Sequence, residues 1–259
     1  MPLNVDERGS GPPLVMLHGL FGSGRNWQSV ANKLADRYHV LSVDARNHGR
    51  SFHDDTINYP VMADDVMQLI QDRGLESPTL LGHSMGGKTA MRVALTAPDL
   101  IDRLVVVDIA PVDYPLRFVD LIDAMESVPL ASLEKRSEAD AFLQARIPDQ
   151  FLRMFLLQNL AFEDGRYSWR VNLPAIRAAL PDLMSMPADT AAATFTAPTL
   201  FIRGGQSPAV SPRHHEAIHS HFPDASIVTI ETAGHLPHTE QPAAFLEVLN
   251  DFLDRTGDV

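Results

Sequence analysis

Gly82-His83-Ser84-Met85-Gly86-Gly87 carries the clearest chemical content in this sequence. The apolar run Thr79-Leu80-Leu81 leads into it and a helical pattern follows from Gly87, so Ser84 stands on a sharp strand-to-helix turn. A G-x-S-x-G turn of that kind holds its serine in a strained backbone conformation and raises Oγ at the end of a sheet, where it can attack a carbonyl carbon. Glycines flank it because strand and helix must come close together. The plain alternative is a glycine-rich turn whose serine caps the helix. A tetrahedral intermediate on Ser84 needs N–H donors around its oxyanion, and Met85, directly after the nucleophile, supplies one. The loop His18-Gly19-Leu20-Phe21-Gly22-Ser23-Gly24 can supply the second, with Leu20 the first choice and Phe21 the other. That loop lacks the G-K-[ST] ending of a phosphate cradle, and no dinucleotide-type glycine spacing occurs elsewhere.

A serine nucleophile also needs a general base, and eleven histidines compete for the role. His235, in Gly234-His235-Leu236-Pro237, follows the last strand-like run and precedes the last helical stretch. The chain order nucleophile, acid, histidine puts the base there. His18, His48 and His83 sit beside glycines in turns and suit loop bracing. His215 and His219 have the i, i+4 spacing of a metal pair but no third ligand in view, so they read as a solvated helix face and no metal site is assigned. His238 is expected at a loop or pocket rim.

These groups can converge only if the chain between them builds a sheet. Near-continuous apolar runs at Leu14–His18, Val40–Asp44, Thr79–Gly82, Leu104–Asp108, Thr199–Arg203 and Ser226–Ile230 read as strands covered on both faces. Helical spacing alternates with them at Trp27–Ala35, Met62–Arg73, Gly86–Thr96, His214–His221 and Ala243–Leu253. The alternation predicts a mostly parallel sheet flanked by helices. It breaks between Val112 and Ala193, where helical stretches such as Asp140–Arg146 and Gln150–Leu160 and breaks at Pro129, Pro148, Pro174, Pro181 and Pro187 suggest a helical cap. The expected division is a core of residues 1–111 and 194–259 with residues 112–193 inserted as the cap. An independent domain is the rival reading. Too few residues precede Leu14 for two full strands and a turn, so a truncated N-terminal hairpin is expected.

Bulk properties narrow the partners. The 259 residues carry 33 acidic against 21 basic side chains, a formal charge of -12, and no local basic patch that would recruit nucleic acid. No run approaches the roughly 20 apolar residues of a membrane-spanning helix, and the N-terminal residues lack a signal peptide's pattern, so a cytoplasmic protein is expected. The absence of cysteine excludes disulfides, thiolate metal sites and a cysteine nucleophile.

The set His18-Gly19, Asp44-Ala45-Arg46-Asn47-His48-Gly49-Arg50-Ser51, Gly82-His83-Ser84-Met85-Gly86-Gly87 and Gly234-His235 resembles the α/β-hydrolase superfamily across nearly the whole chain. Within it, His18-Gly19-Leu20-Phe21-Gly22-Ser23, Arg46-Asn47-His48-Gly49 and Asp108-Ile109-Ala110-Pro111-Val112-Asp113-Tyr114 are similar to the small bacterial YbfF-like esterases. The resemblance implies the α/β-hydrolase fold, hydrolysis of small-molecule carboxylesters or acyl thioesters with acyl-CoA among the candidates, and no cofactor. It also makes Asp44 and Arg46 structural.

One position departs from the superfamily pattern. The usual Gly-x-x-Asp turn after the penultimate strand reads Gly204-Gly205-Gln206-Ser207-Pro208-Ala209-Val210, without a carboxylate. In this fold the strand ending at Val107 should lie between the nucleophile strand and Thr199–Arg203, which brings Asp108 beside the pocket. The YbfF-like resemblance points to the same residue, with Asp113 as competitor, and Ser84, His235 and Asp108 are the expected triad. Cap residues Phe118, Met125, Phe155 and Trp169 are candidates for an acyl pocket. The rivals are another reaction on the scaffold, such as C–C bond hydrolysis or cofactor-free perhydrolysis, and a ligand receptor without catalysis. Oligomeric state is not legible.

Overall fold

The computed structural model describes residues 1–190 and 192–255. The chain opens with β1 (Val5–Arg8), β2 (Pro13–Leu17), α1 (Gln28–Leu34), β3 (His39–Val43), α2 (Tyr59–Asp72), β4 (Thr79–His83), α3 (Met85–Thr96) and β5 (Arg103–Val107). An inserted segment follows with α4 (Val119–Glu126), α5 (Arg136–Gln144), α6 (Gln150–Leu157), β6 (Leu160–Glu163), β7 (Arg166–Trp169) and α7 (Leu173–Met184). The core resumes with β8 (Thr199–Gly204), α8 (His215–His221), β9 (Ser226–Ile230), α9 (Pro237–Glu240) and α10 (Pro242–Asp254).

The main sheet has seven strands in the order β1-β3-β2-β4-β5-β8-β9. All neighbouring pairs are parallel except β1 with β3. Apolar runs become buried strands because both faces are covered, and successive side chains alternate between the two layers. Leu80, Leu104 and Val106 pack toward Val66 of α2 and Met91 of α3, whereas Leu81, Val105 and Val107 pack toward Val30 of α1 and Phe245 of α10. The N-terminal expectation is met by one short strand, and β1 pairs with β3 instead of forming a hairpin with β2. No helix among the described residues is long and apolar enough to cross a membrane.

Register sets the site. Gly82 pairs with Val106 and His83 with Val107, so Ser84 and Asp108 leave adjacent strands at the same level. Val107 pairs with Ile202 and Gly204 with Ile230, which brings the loops after β8 and β9 to that same edge. Ligands of open parallel sheets bind outside these carboxyl ends.

The inserted segment is not purely helical as its pattern suggested. Leu160–Glu163 and Arg166–Trp169 pair as an antiparallel hairpin, and α6 ends at Leu157. Asp164 and Gly165 at its tip both have positive φ, a short turn that a search for helical spacing passes over. Two of the expected breaks also fall elsewhere. Pro174 stands in the first turn of α7, where its missing N–H is harmless, and Pro181 lies inside that helix. Burial of Leu180, Leu183 and Met184 around Pro181 holds the helix together against a penalty of about 3 kcal/mol. The segment's apolar cluster takes in Phe21 and Met85, so it packs directly over the elbow that carries Ser84.

Candidate active site

Ser84 sits between the end of β4 and the start of α3 with φ 51° and ψ -115°. The elbow explains its glycines: a Cβ at Gly82 would collide with the Gly86 carbonyl, and one at Gly86 would lie 2.6 Å from the carbonyl oxygens of both Leu17 and His18. Asp108 also holds a positive φ, of 50°, at the end of β5. Strain of this type persists only where surrounding structure fixes it. Here the Asp108 N–H donates to the Ile202 carbonyl at 2.8 Å and the Ser84 N–H to the Val107 carbonyl at 3.0 Å, which ties the two residues to neighbouring strands.

His235 lies in the loop between β9 and α9 and bridges the two. Its Nδ1–H donates to Asp108 Oδ2 at 2.7 Å, which leaves Nε2 as acceptor for the Ser84 hydroxyl at 3.2 Å. The carboxylate is wholly buried while the imidazole side chain is 45% exposed, so the charged partner is fixed and the ring faces the pocket. Asp108 is further satisfied by the Gly204 N–H on Oδ1 at 2.9 Å and by the Ser207 hydroxyl on Oδ2. Ser207 itself accepts from the Ala209 N–H at 3.2 Å. Ser207 was passed over in the sequence because it was read there only as a missing carboxylate. Asp113 does not approach His235, since its carboxylate accepts from the Met186 N–H at 2.7 Å.

Around this line the other histidines brace loops. His18 Nε2 accepts from the Ala45 N–H at 3.0 Å and its Nδ1–H donates to the Gly19 carbonyl at 2.8 Å. His48 Nδ1–H donates to the Arg46 carbonyl at 2.9 Å, and its Nε2 accepts the Phe21 N–H at 3.3 Å. That last bond removes Phe21 as an oxyanion donor. The Leu20 and Met85 N–H groups take no partner among the described residues and both residues line the Ser84 pocket. His83 Nε2–H donates to the His235 carbonyl at 2.7 Å, and its ring lies 4.8 Å from the His235 ring. Burial, with His235 and His238 close by, holds His83 well below the ordinary histidine range, so it positions the loop as a neutral group. His238 stacks on Trp27 at 4.3 Å and is pushed down to about 3, chiefly by burial. Asp44 accepts from Asn4 Nδ2, the Gly24 N–H and the Arg50 N–H, and Arg46 grips Asp65 through two nitrogens, as structural residues do. His215 and His219 gain no third ligand, because no group of three metal-type side chains occurs among the described residues.

The cavity over Ser84 is narrow, with about 30 Å³ of free space. Of the four expected acyl-pocket residues only Phe118 lines it; Met125, Phe155 and Trp169 pack within the inserted segment. Sequence reading missed Tyr59, Lys88, Tyr114 and Arg117 in the wall, since nothing in their local spacing distinguishes them from core or surface. Lys88, one turn beyond Ser84, is 1% exposed. Its ammonium donates to the carbonyls of Met184 at 3.1 Å and Ser185 at 2.8 Å and faces the rings of Tyr59 and Tyr114. Burial lowers it to about 7, against the opposing pull of Asp113.

A sheet of this topology, with a strained serine at a strand-helix elbow and a histidine and buried carboxylate in line behind it, defines a nucleophilic hydrolase scaffold. The chain belongs to the alpha/beta hydrolase fold family, whose sequence model matches residues 12–242. It is 40% identical over 252 residues to the sn-1-specific diacylglycerol lipase ABHD11 of Mus musculus, covering 93% of this chain and 81% of that protein. It is 37% identical over 243 residues to esterase YbfF of Escherichia coli strain K12, covering 93% of each. Among solved structures, a marine microorganism esterase superimposes with a TM-score of 0.91 at 38% identity, over 97% of this chain and 99% of that one.

Proposed function

We propose that the protein is a serine hydrolase of small-molecule carboxylesters or acyl thioesters. The observation that carries this reading is the hydrogen-bonded line from Ser84 through His235 to Asp108, with contacts of 3.2 and 2.7 Å. Ser84 Oγ attacks the acyl carbonyl while His235 Nε2 takes its proton, and Asp108 stabilises the imidazolium by holding Nδ1–H. The N–H groups of Leu20 and Met85 receive the oxyanion. Collapse expels the alcohol or thiol, which takes the proton back from His235. Water, deprotonated by His235, then attacks the acyl-enzyme, and the acid leaves.

Relatives named as esterase and diacylglycerol lipase support an ester as the bond cleaved. Residues 112–193 serve as a cap that shapes the pocket, since their apolar cluster packs over Met85 and Phe21. The reaction takes place in the cytoplasm and draws on the protein's own side chains and backbone N–H groups. Fluorophosphonate labelling tests the nucleophile: rapid modification of Ser84, with no labelling and no ester turnover in a folded Ser84→Ala variant, is expected. Turnover of p-nitrophenyl esters of graded chain length, beside acyl-CoA thioesters, then fixes acyl size and leaving group. Unimpaired hydrolysis by Ser84→Ala would overturn the assignment, and an unreactive Ser84 in the folded protein would favour a receptor.

A further inference from the structure

The pocket over Ser84 is lined by basic and no acidic side chains, although the molecule as a whole is acidic. The chain carries a formal charge of -12, yet the residues lining this cavity include Lys88 and Arg117 and no aspartate or glutamate. Asp108 lies behind His235, outside the lining, with its oxygens bonded to His235, Ser207 and Gly204. Asp113, which acts on Lys88, lies outside the lining and accepts from the Met186 N–H.

Arg117 is the group free to act on a ligand. It stands between β5 and α4, just before Phe118, the residue with φ 75° that opens α4. Its guanidinium carbon lies 5.4 Å from the Tyr114 ring centre and 5.7 Å from that of Phe118. Aromatic contacts of this kind hold a guanidinium by its flat face and leave its N–H edge available. No carboxylate or other hydrogen-bond acceptor takes that edge among the described residues. The two rings are fixed in turn: the Tyr114 hydroxyl donates to the Ala209 carbonyl at 2.7 Å and accepts from the Ala110 N–H at 2.9 Å, and Phe118 packs edge-on to Phe21 of the oxyanion loop. The cation is therefore positioned by elements that also shape the nucleophile's surroundings. Lys88, by contrast, spends its donors on Met184 and Ser185.

We infer that Arg117 is a specificity-determining residue that binds a carboxylate on the substrate, so that the preferred esters or thioesters are those of anionic half-acids or those with an acidic leaving group. The inference rests on the serine hydrolase reading above and names the substrate class of that site. A planar carboxylate matches the guanidinium fork through two parallel hydrogen bonds, and Arg117 is exposed, so its fork can be reached by a ligand. The carboxylate can sit on either side of the scissile bond, and the two sources are separable by experiment.

Two substrate pairs test this. The first is p-nitrophenyl hemiadipate against its methyl-capped diester, with the charge on the acyl side. The second is 4-carboxyphenyl butyrate against its methyl ester, with the charge on the leaving side. The readout is the ratio of kcat/KM for the anionic to the capped member, corrected for spontaneous hydrolysis. At least one pair should give a ratio above one in the wild-type protein. That ratio should fall about tenfold or more in Arg117→Gln, fall further in Arg117→Glu, and be partly kept in Arg117→Lys. It should also shrink as ionic strength rises. Ratios in both pairs that are the same in wild type, Arg117→Gln and Arg117→Glu, with the capped esters still hydrolysed, would overturn the inference and leave the hydrolase reading standing. Failure of the wild-type protein to turn over any of the four esters would overturn both.

Discussion

Ser207 donates its hydroxyl proton to Asp108 Oδ2, the same oxygen that receives His235 Nδ1–H at 2.7 Å. Ser207 occupies the loop after β8, where the superfamily pattern puts the acid, and Asp108 stands at the end of the neighbouring strand β5. Because β5 and β8 are parallel and in register at Val107 and Ile202, a carboxylate at either strand end reaches the same imidazole. The carboxylate beside the imidazole thus stands one strand across from that position, and the residue there donates to it.

Ser207→Ala removes one of the donors on a buried carboxylate while the Gly204 N–H and His235 remain. Loss of a single hydrogen bond to a charged group is worth about 1.5 to 3 kcal/mol, so kcat should fall roughly tenfold to a hundredfold with little change in KM. Steady-state kinetics on one activated ester checks this. An unchanged kcat would mean that Ser207 does not tune the triad.

Asp108→Asn should fold normally and lose about a thousandfold or more in kcat, because an amide in place of the carboxylate favours the wrong histidine tautomer. Asp113→Asn should cost less than about threefold, since Asp113 bonds the Met186 N–H and sits apart from His235. Kinetics of the two purified variants, with circular dichroism to verify folding, decides between them. The reverse ranking would assign the triad acid to Asp113.

The core was legible because each strand is a continuous apolar run, and observed boundaries such as Thr79–His83 and Ser226–Ile230 lie within a residue of the pattern. Ser84 and His235 were legible because an elbow and a terminal loop leave local marks in glycine spacing and chain order. Asp108 needed strand order as well, since its proximity to His235 arises from register and leaves no local trace. The wall residues Tyr59, Lys88, Tyr114 and Arg117 come from separate segments brought together only by the inserted segment's packing. The β6-β7 hairpin was hidden for a similar reason: its strands of four residues are too short to establish a period.

Acid should destabilise the protein steeply. His48 and His238 are each lowered to about 3 and His83 well below its ordinary value, in all three chiefly by burial. Between pH 6.5 and about 3 the unfolded chain therefore binds protons that the folded chain refuses, and stability falls as pH falls through that window. Each such histidine contributes a slope of up to about 1.4 kcal/mol per pH unit. His238 Nδ1 has no hydrogen-bond partner and its ring lies among Trp27 and Phe245. His238→Phe should accordingly fold and flatten the slope by about one proton. Urea unfolding at pH 4.5 to 7 measures it, and an unchanged slope would show that His238 is not held neutral.

Lys88 acts with the same sign in an alkaline window. Burial lowers it to about 7 in the folded protein, while in the unfolded chain it keeps the ordinary lysine value of 10.5. Below pH 7 both states carry the proton and above 10.5 neither does, so the difference between Lys88 and an apolar residue is flat at both ends. Between those limits the unfolded chain binds one more proton, and stability must rise with pH. Lys88→Met abolishes that gain. It also leaves the carbonyls of Met184 and Ser185 without their donor, so the sign of the stability change at any single pH is a balance of two costs. The slope depends on neither cost. Wild type minus Lys88→Met should climb by about 1.4 kcal/mol per pH unit and total about 4 to 5 kcal/mol across the window. Taking the difference between the two proteins cancels the tyrosines that titrate nearby, including Tyr114, raised to about 12 chiefly by burial. Urea unfolding of both proteins at pH 6, 7, 8, 9 and 10 reads the slope directly. A difference independent of pH from 7 to 10 would mean that Lys88 keeps its proton throughout, held by two carbonyls and two aromatic rings against the cost of burial.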